Sequence, residues 1–312
     1  MAKKPRLTVL LSELDTLVKP EEERLIFEFA KQAEDAGYYG INIIDHIVMG
    51  PSSAANGIPE NPRAFRWVGN QAPDQHMPSQ IVVMSAIAAV TSRIRLMATA
   101  TLTPLRHPLL NAKQWATLDL ISGGRVTITP IGGWQKEEYE AMGTPFEERG
   151  RRLDEQLEIM RLVWRETPAS YEGEFYGFKD IYVMPKPVQP GGPEIIIGGD
   201  RLSKKVVQRI VRYGSGYTLT SAPDSESLAL LSDEMEKAGR KLSELKTSGL
   251  VFPFFTDPDK AADLARSIEA SVPPLIENGI DSITVKPSQF IDDPSEMPGF
   301  LKEFDRRIEA LI

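Results

Sequence analysis

The sequence of 312 residues contains no cysteine and only three histidines. Without cysteine the chain has no disulfide bond, no thiolate nucleophile and no cysteine-ligated metal. So few histidines also argue against a transition-metal site, and we expect no metal. The absence of cysteine suits the reducing cytoplasm, which is the location we expect.

The sequence has no long apolar run and little basic charge. No stretch approaches the ~18 consecutive apolar residues that a membrane helix needs, so we expect no membrane partner. The 36 Lys and Arg residues against 44 Asp and Glu residues give a net charge of −8. This balance argues against a nucleic-acid partner, which would require a basic face.

Several common catalytic motifs are also missing. The sequence contains no Gly-x-Gly-x-x-Gly, no P-loop, no Gly-x-Ser-x-Gly elbow and no His-Glu-x-x-His. The function must therefore be sought in the arrangement of elements and in the residues at their ends.

Strands and helices alternate along the whole sequence, which is typical of parallel βα units. The predicted strands cover residues 6–12, 40–45, 94–101, 125–131, 194–197, 217–220, 250–255 and 282–286. The predicted helices cover residues 22–36, 79–90, 108–121, 145–164, 202–213, 224–238, 257–277 and 297–311. Eight such units favour a TIM (β/α)8 barrel, in one domain over residues 1–312, over an open doubly wound sheet.

Local signals place some of the helix ends. The helix that begins at Pro108 is expected to stop at Gly123-Gly124. Thr144, Pro145 and Glu147 have the spacing of a capping box at the start of the fifth helix. Asp257-Pro258 is expected to begin the seventh helix.

Two segments exceed a minimal barrel. Residues 46–78, after the second strand, are far longer than the usual βα loop. With Phe65, Trp67 and Met77, this segment is expected to cover a partly apolar substrate. Residues 171–190 are expected to form a small hairpin inserted before the fifth strand.

Candidate site residues lie at the carboxyl ends of the predicted strands, where barrel enzymes build their active sites. Asp45-His46 ends the second strand and can orient a ligand and move a proton near neutral pH. The alternative is a structural pair that caps the loop, and we favour the functional interpretation. Thr99-Ala100 ends the third strand, where the alternative is a core layer of small residues. Gly132-Gly133-Trp134 follows the fourth strand, where the alternative is an ordinary turn.

The fifth and sixth strands end in groups that fit a phosphate. Gly198-Gly199-Asp200-Arg201 directly precedes a helix, whose N-terminal N–H groups favour an anion, and Arg201 adds charge. Thr220-Ser221 offers two hydroxyls at the next strand end. For the fifth strand the alternative is a glycine turn with Asp200 as the N-cap of the helix. For the sixth strand the alternative is that the hydroxyls cap the helix that begins near Asp224.

Taken together, these motifs resemble the bacterial luciferase-like oxidoreductase family, and most of all its branch that uses the deazaflavin coenzyme F420 rather than FMN. The matching residues are Asp45-His46, Pro104-Leu105-Arg106-His107-Pro108, Ala112-Lys113-Gln114, Ala116-Thr117-Leu118-Asp119, Ser122-Gly123-Gly124-Arg125, Gly132-Gly133-Trp134, residues 137–151, Pro185-Lys186-Pro187 and Ile197-Gly198-Gly199. The order and spacing of these motifs carry the resemblance, which spans the whole predicted barrel.

The resemblance implies a barrel that holds reduced FMN or F420 at its strand ends, and a homodimer. It implies a non-prolyl cis peptide at Thr99-Ala100, and His46 near the reactive ring centre with Asp45 beside it. The implied cofactor-binding residues are Thr99, Ala100, Gly132, Gly133, Trp134, Gly198, Gly199, Asp200, Arg201, Thr220 and Ser221. Trp134 stands where sugar-phosphate dehydrogenases of the family often have an acidic residue, which argues against that reaction.

The expected activity is therefore an oxidoreduction of a small organic substrate. With FMN it would be a monooxygenation, and with F420 a hydride transfer. One alternative is a barrel glycoside hydrolase that uses Asp45 and Asp200 as its two carboxylates. Another is a flavin-binding protein without turnover.

Overall fold

The computed structural model describes residues 4–12, 16–64, 69–220, 223–257 and 259–312. The strands in these ranges are β1 (Arg6–Leu10), β2 (Gly40–Ile43), β3 (Arg95–Leu102), β4 (Val126–Ile131), β5 (Ala169–Glu172), β6 (Gly177–Ile181), β7 (Glu194–Gly199), β8 (Gly216–Leu219), β9 (Lys246–Leu250) and β10 (Ser282–Val285). The helices are α1 (Leu25–Asp35), α2 (Gln80–Val90), α3 (Pro108–Ser122), α4 (Lys136–Ala141), α5 (Arg149–Arg165), α6 (Lys204–Tyr213), α7 (Ser225–Lys237), α8 (Leu264–Glu277) and α9 (Met297–Glu309).

The parallel strands close into a barrel in the order β1-β10-β9-β8-β7-β4-β3-β2. This order confirms the predicted TIM barrel and rules out the open doubly wound sheet. The strands β5 and β6 pair antiparallel, which confirms the hairpin inserted before the fifth barrel strand. Within the described ranges, no helix is both long and apolar enough to cross a membrane.

The contacts of the chain divide it into two compact units. The first takes in the described residues of 1–43, 47–96 and 247–312, and the second those of 44–46 and 97–246. In the first unit β9, β10, β1 and β2 pair in parallel, with Val9 opposite Val285 and Ile41. In the second unit β4, β7 and β8 pair in parallel around buried Ile128 and Ile195. A single domain over 1–312 stays a prediction.

Helix α3, in the second unit, begins and ends as predicted. Pro108 is its first residue, and the ring Nδ1 of His107 accepts a hydrogen bond from the Leu109 N–H. Gly123 follows with φ +67°, the left-handed conformation that ends many helices and that glycine adopts without strain.

The predicted start of α5 is wrong. Pro145 is extended (φ −61°, ψ 123°), and residues Phe146–Glu148 form a 3-10 turn before the helix. The helix therefore begins at Arg149, too late for Thr144 and Glu147 to form the predicted capping box. Leu153, Leu157, Met160 and Trp164 are all buried, and their spacing places them on one apolar face of the helix. The short helix α4 was not predicted.

Two predictions near residue 250 are also wrong. The strand is Lys246–Leu250, whereas residues 251–255 form none. Pro253 in that apolar run has no N–H for a sheet ladder, which explains why the strand ends before it.

Helix α8 is capped by Asp263, which accepts from the Arg266 N–H. Asp257 instead accepts from the Asp259 N–H in a local turn, and Pro258 lies outside the described residues.

From residue 47 onwards, the described parts of the long segment 46–78 lie in the first unit and form hydrogen bonds there. Short 3-10 turns occupy Pro51–Ala54 and Pro62–Ala64. The Gln71 N–H donates to the Ser53 carbonyl at 2.7 Å, and the Asn61 amide donates to the Lys260 carbonyl at 2.9 Å. Phe65 and Trp67 lie outside the described residues. That the segment covers the substrate stays a prediction.

Candidate active site

The described residues of the predicted cofactor-binding set lie in the second unit, at or near the carboxyl ends of strands that neighbour one another in the order β8-β7-β4-β3. Thr99-Ala100, Gly132-Gly133 and Gly198-Gly199 are all partly exposed. The peptide bond between Thr99 and Ala100 is cis, which confirms that prediction. Thr220 directly follows β8, and Ser221 lies outside the described residues. The roles of these residues in cofactor binding stay predictions.

The glycines at these ends allow the strands to pack closely. A side chain on Gly133, whose φ is +70°, would overlap with the side chain of Leu102. A Cβ on Gly198 would lie 2.7 Å from Ile131 Cγ2. The Tyr139 hydroxyl donates to the Gly132 carbonyl and fixes this turn. A larger residue at Gly133 or Gly198 would therefore clash with these side chains, which explains why glycine suits both positions.

His46 pairs with a carboxylate that the sequence analysis missed. Its Nδ1 lies 3.0 Å from Oε2 of Glu138, on α4. The His46 side chain is 11% exposed and that of Glu138 is 1% exposed. The Trp134 ring stands edge-on to the imidazole, with 6.2 Å between the ring centroids. This group can hold a proton in a site with little water.

Asp45, although adjacent to His46, has a different partner. Its two carboxylate oxygens accept from the guanidinium of Arg106 at 2.6 and 2.7 Å. The carboxylate also accepts from the Leu102 N–H at 2.9 Å. Asp45 therefore ties the end of β3 to Arg106 through a buried ion pair, and its predicted catalytic role stays a prediction.

The segment after β7 differs from the prediction. Gly198 and Gly199 are the last residues of β7, and Ser203, not Asp200, is the N-cap of α6 through its bond with the Val206 N–H. Asp200 instead accepts from the Thr220 hydroxyl at 2.7 Å. Arg201 is exposed beside these residues. The helix after β8 is capped by Asp224. Thr220 does not cap this helix, and its hydroxyl donates to Asp200 instead.

These residues fit a flavin-type cofactor. Three neighbouring strands, β3, β4 and β7, carry partly exposed small residues at or near their carboxyl ends, as a flat ring would require, and the exposed Arg201 would suit a phosphate. They fit the glycosidase alternative poorly, since Asp45 is bound to Arg106 and Asp200 to Thr220.

The sequence model of the luciferase-like monooxygenase family matches residues 8–310. The chain belongs to this family. The resemblance seen in the sequence is thereby confirmed over nearly the whole chain.

Relatives within the luciferase-like family use both of the expected cofactors. An FMNH2-dependent dimethylsulfone monooxygenase of Pseudomonas putida is 31% identical over 220 residues, 69% of this chain and 59% of that protein. An F420-dependent glucose-6-phosphate dehydrogenase of Kineococcus radiotolerans is 31% identical over 281 residues, 86% of this chain and 73% of that protein. The expected pair of cofactor classes is thus the pair found among relatives of this chain.

Solved structures show the same fold. An F420-dependent secondary alcohol dehydrogenase in complex with an F420-acetone adduct superimposes with a TM-score of 0.71, covering 99% of this chain and 100% of that one. The two sequences are 16% identical, so this likeness bears on the fold alone.

Proposed function

We propose that this chain is an oxidoreductase that takes reduced FMN or reduced F420 at the carboxyl ends of β3, β4, β7 and β8 and acts on a small organic substrate. The observation that carries the proposal is the His46–Glu138 pair beside Trp134, next to the small-residue strand ends of a luciferase-like barrel. When bound, FMN supplies oxygen chemistry and F420 supplies hydride transfer.

The residues of the protein bind and orient the cofactor and the substrate, and they exclude water. Thr99-Ala100, Gly132-Gly133 and Gly198-Gly199 would hold the ring, and Arg201, beside Asp200 and Thr220, would hold the phosphate. His46 holds or accepts a proton at Nε2, the ring nitrogen that does not face Glu138. Trp134 presents a partly exposed aromatic wall that keeps water from the reacting atoms and favours an uncharged substrate. Asp45 holds the end of β3 through Arg106.

The test is a titration of the purified protein with FMN and with F420, followed by cofactor fluorescence, and then an assay of reduced-cofactor oxidation on a panel of small organic substrates. We expect micromolar binding of one cofactor. His46→Asn should retain that binding but lose about 10²- to 10⁴-fold in kcat, the usual contribution of a general acid–base group.

The matched control is His107→Asn, because His107 is exposed and asparagine also serves well as an N-cap. This variant should behave as the wild type. Binding of neither cofactor would remove the proposal. Binding without oxidation above background would favour the flavin-binding protein without turnover.

We also propose that the chain forms a homodimer. In the second unit, α3 presents Leu110, Lys113, Thr117 and Ile121 at the spacing of one helix face, and Leu110 and Ile121 are 49% and 60% exposed. The two exposed apolar side chains of this face, Leu110 and Ile121, support a partner surface. A cytoplasmic location stays a prediction from the sequence.

A further inference from the structure

We propose that Glu138 is a positioning residue that keeps a proton on Nδ1 of His46, so that Nε2 is the atom that exchanges protons during turnover. Its role in turnover rests on the function proposed above. The protonation state of the imidazole rests on the geometry alone and can be measured without cofactor.

The contact is short and sheltered. Glu138 Oε2 lies 3.0 Å from His46 Nδ1, within ordinary hydrogen-bond distance. The carboxylate side chain is 1% exposed, so water weakens this contact far less than it weakens a surface pair.

The chemistry of the two groups determines where the proton lies. An ionised carboxylate only accepts hydrogen bonds, so the ring nitrogen that faces it must carry a hydrogen. Nδ1 is then protonated both in the neutral ring and in the imidazolium ion, and the two states differ only at Nε2. A proton that arrives at Nε2 from a substrate or from water leaves the same way, and no electrons are transferred to the ring.

The surroundings hold the carboxylate and the ring in place. Glu138 lies on α4, and the next residue, Tyr139, is fully buried and donates from its hydroxyl to the Gly132 carbonyl. The Tyr139 ring also packs edge-on against Phe146, with centroids 5.4 Å apart. The Trp134 ring also stands edge-on to the imidazole of His46. The helix that carries Glu138 is thus anchored to the turn that carries Trp134.

The experiment is 15N NMR of the histidine rings in the full chain, from pH 6 to pH 10. The sequence has three histidines, so the His46→Asn spectrum identifies the His46 signals by difference. We expect Nδ1 of His46 to be protonated across the whole range in the wild type. In Glu138→Ala, a neutral ring with the proton on Nε2 should appear as the pH rises.

Two further variants separate the effect of the Glu138 charge from that of its hydrogen bond and from a general effect of changing α4. Glu138→Gln keeps the size and an accepting oxygen but not the charge, so it should retain part of the Nδ1-protonated form. Glu140→Ala is the matched control, because Glu140 lies on the same helix, is exposed and pairs with Lys136 at 3.4 Å. This control should leave the His46 signals unchanged.

An unprotonated Nδ1 in the wild type, or an unchanged tautomer in Glu138→Ala, would overturn the proposal. The wild-type spectrum decides the matter even if Glu138→Ala fails to fold. In the turnover assay, Glu138→Ala should lower kcat by about 10- to 100-fold with little change in KM, and Glu138→Asp should recover part of the loss. If neither cofactor binds the wild type, the proposed function fails, whereas the tautomer result stands by itself.

Discussion

At the scale of single residues, Asp45 and His46 are neighbours in the chain that have different partners. Asp45 binds Arg106, 61 residues further along, and His46 binds Glu138, 92 residues further along. The sequence places both residues at a strand end, which is correct. Their partners could not be predicted, because no spacing rule links residues so far apart before the strand order is known. Helix α4, which brings Glu138 to His46, was itself not predicted.

The Asp45–Arg106 ion pair leads to a prediction for stability. Asp45→Ala should lower the free energy of unfolding by about 3–5 kcal/mol, because it leaves the largely buried guanidinium of Arg106 without its counter-charge. The measurement is the urea-unfolding curve of each variant.

The control for this prediction is the double variant Asp45→Leu with Arg106→Met. Its loss of unfolding free energy should be smaller than the sum of the losses of Asp45→Leu alone and Arg106→Met alone, since no unpaired charge remains. Losses that simply add, or a loss below 1 kcal/mol in Asp45→Ala, would contradict the account.

At the scale of elements, one buried carboxylate ties α1 to the loop before β3. Glu34 accepts hydrogen bonds from the N–H groups of Ser92, Arg93 and Ile94 at 2.9, 2.6 and 2.9 Å. Burial raises the pKa of Glu34, but the hydrogen bonds from Ile94, Arg93 and Ser92 and the charge of Arg93 lower it from the ordinary 4.5 to about 2. The folded protein therefore favours the ionised form.

This low pKa predicts how stability changes with pH. The stabilisation is fully present above pH 4.5 and is lost as the pH falls through about 2. The difference between the two pKa values corresponds to about 3 kcal/mol at neutral pH. Glu34→Gln should therefore be less stable than the wild type at pH 7, and the gap should shrink at pH 3.5.

Urea-unfolding midpoints at the two pH values measure this gap. Glu28→Gln is the control on the same helix, because Glu28 is exposed and its substitution should give a small difference at both pH values. A gap for Glu34→Gln that grows on acidification would contradict the prediction.

The elements that the sequence predicted well carry signals at both ends. Helix α3 has Pro108 at its start, where the proline ring fixes φ, and Gly123 at its end, where glycine adopts the left-handed conformation without strain. The strand β9 carries no such signal, since Lys246–Leu250 is largely polar. The strand was predicted at 250–255 because the apolar run lies there. Hydrophobicity locates buried segments, but it does not distinguish a strand from the extended chain beyond it.

At the scale of the whole molecule, the barrel could be predicted by counting βα units, because a single closed arrangement accommodates eight of them. The cis peptide at Thr99-Ala100 could not be predicted from composition or periodicity and came only from the resemblance to the family. The strand ends could be predicted as a set, because parallel strands bring their carboxyl ends to one edge. Which groups there bond to each other, as Asp200 does to Thr220, depends on side-chain geometry that the sequence does not show.

The proposed homodimer gives the prediction at this scale. The chain has a mass of 34.7 kDa, so sedimentation equilibrium at micromolar concentration should give about twice that mass if the dimer forms. Ile121→Asp places a charge on the exposed face of α3, and desolvating that charge should weaken the dimer by about 10- to 100-fold in Kd. The control is Leu242→Asp, an exposed apolar residue outside α3 that should leave the mass unchanged. A wild type that sediments as the monomer would contradict the dimer. A dimer that tolerates Ile121→Asp would instead place its interface on a different surface from this face of α3.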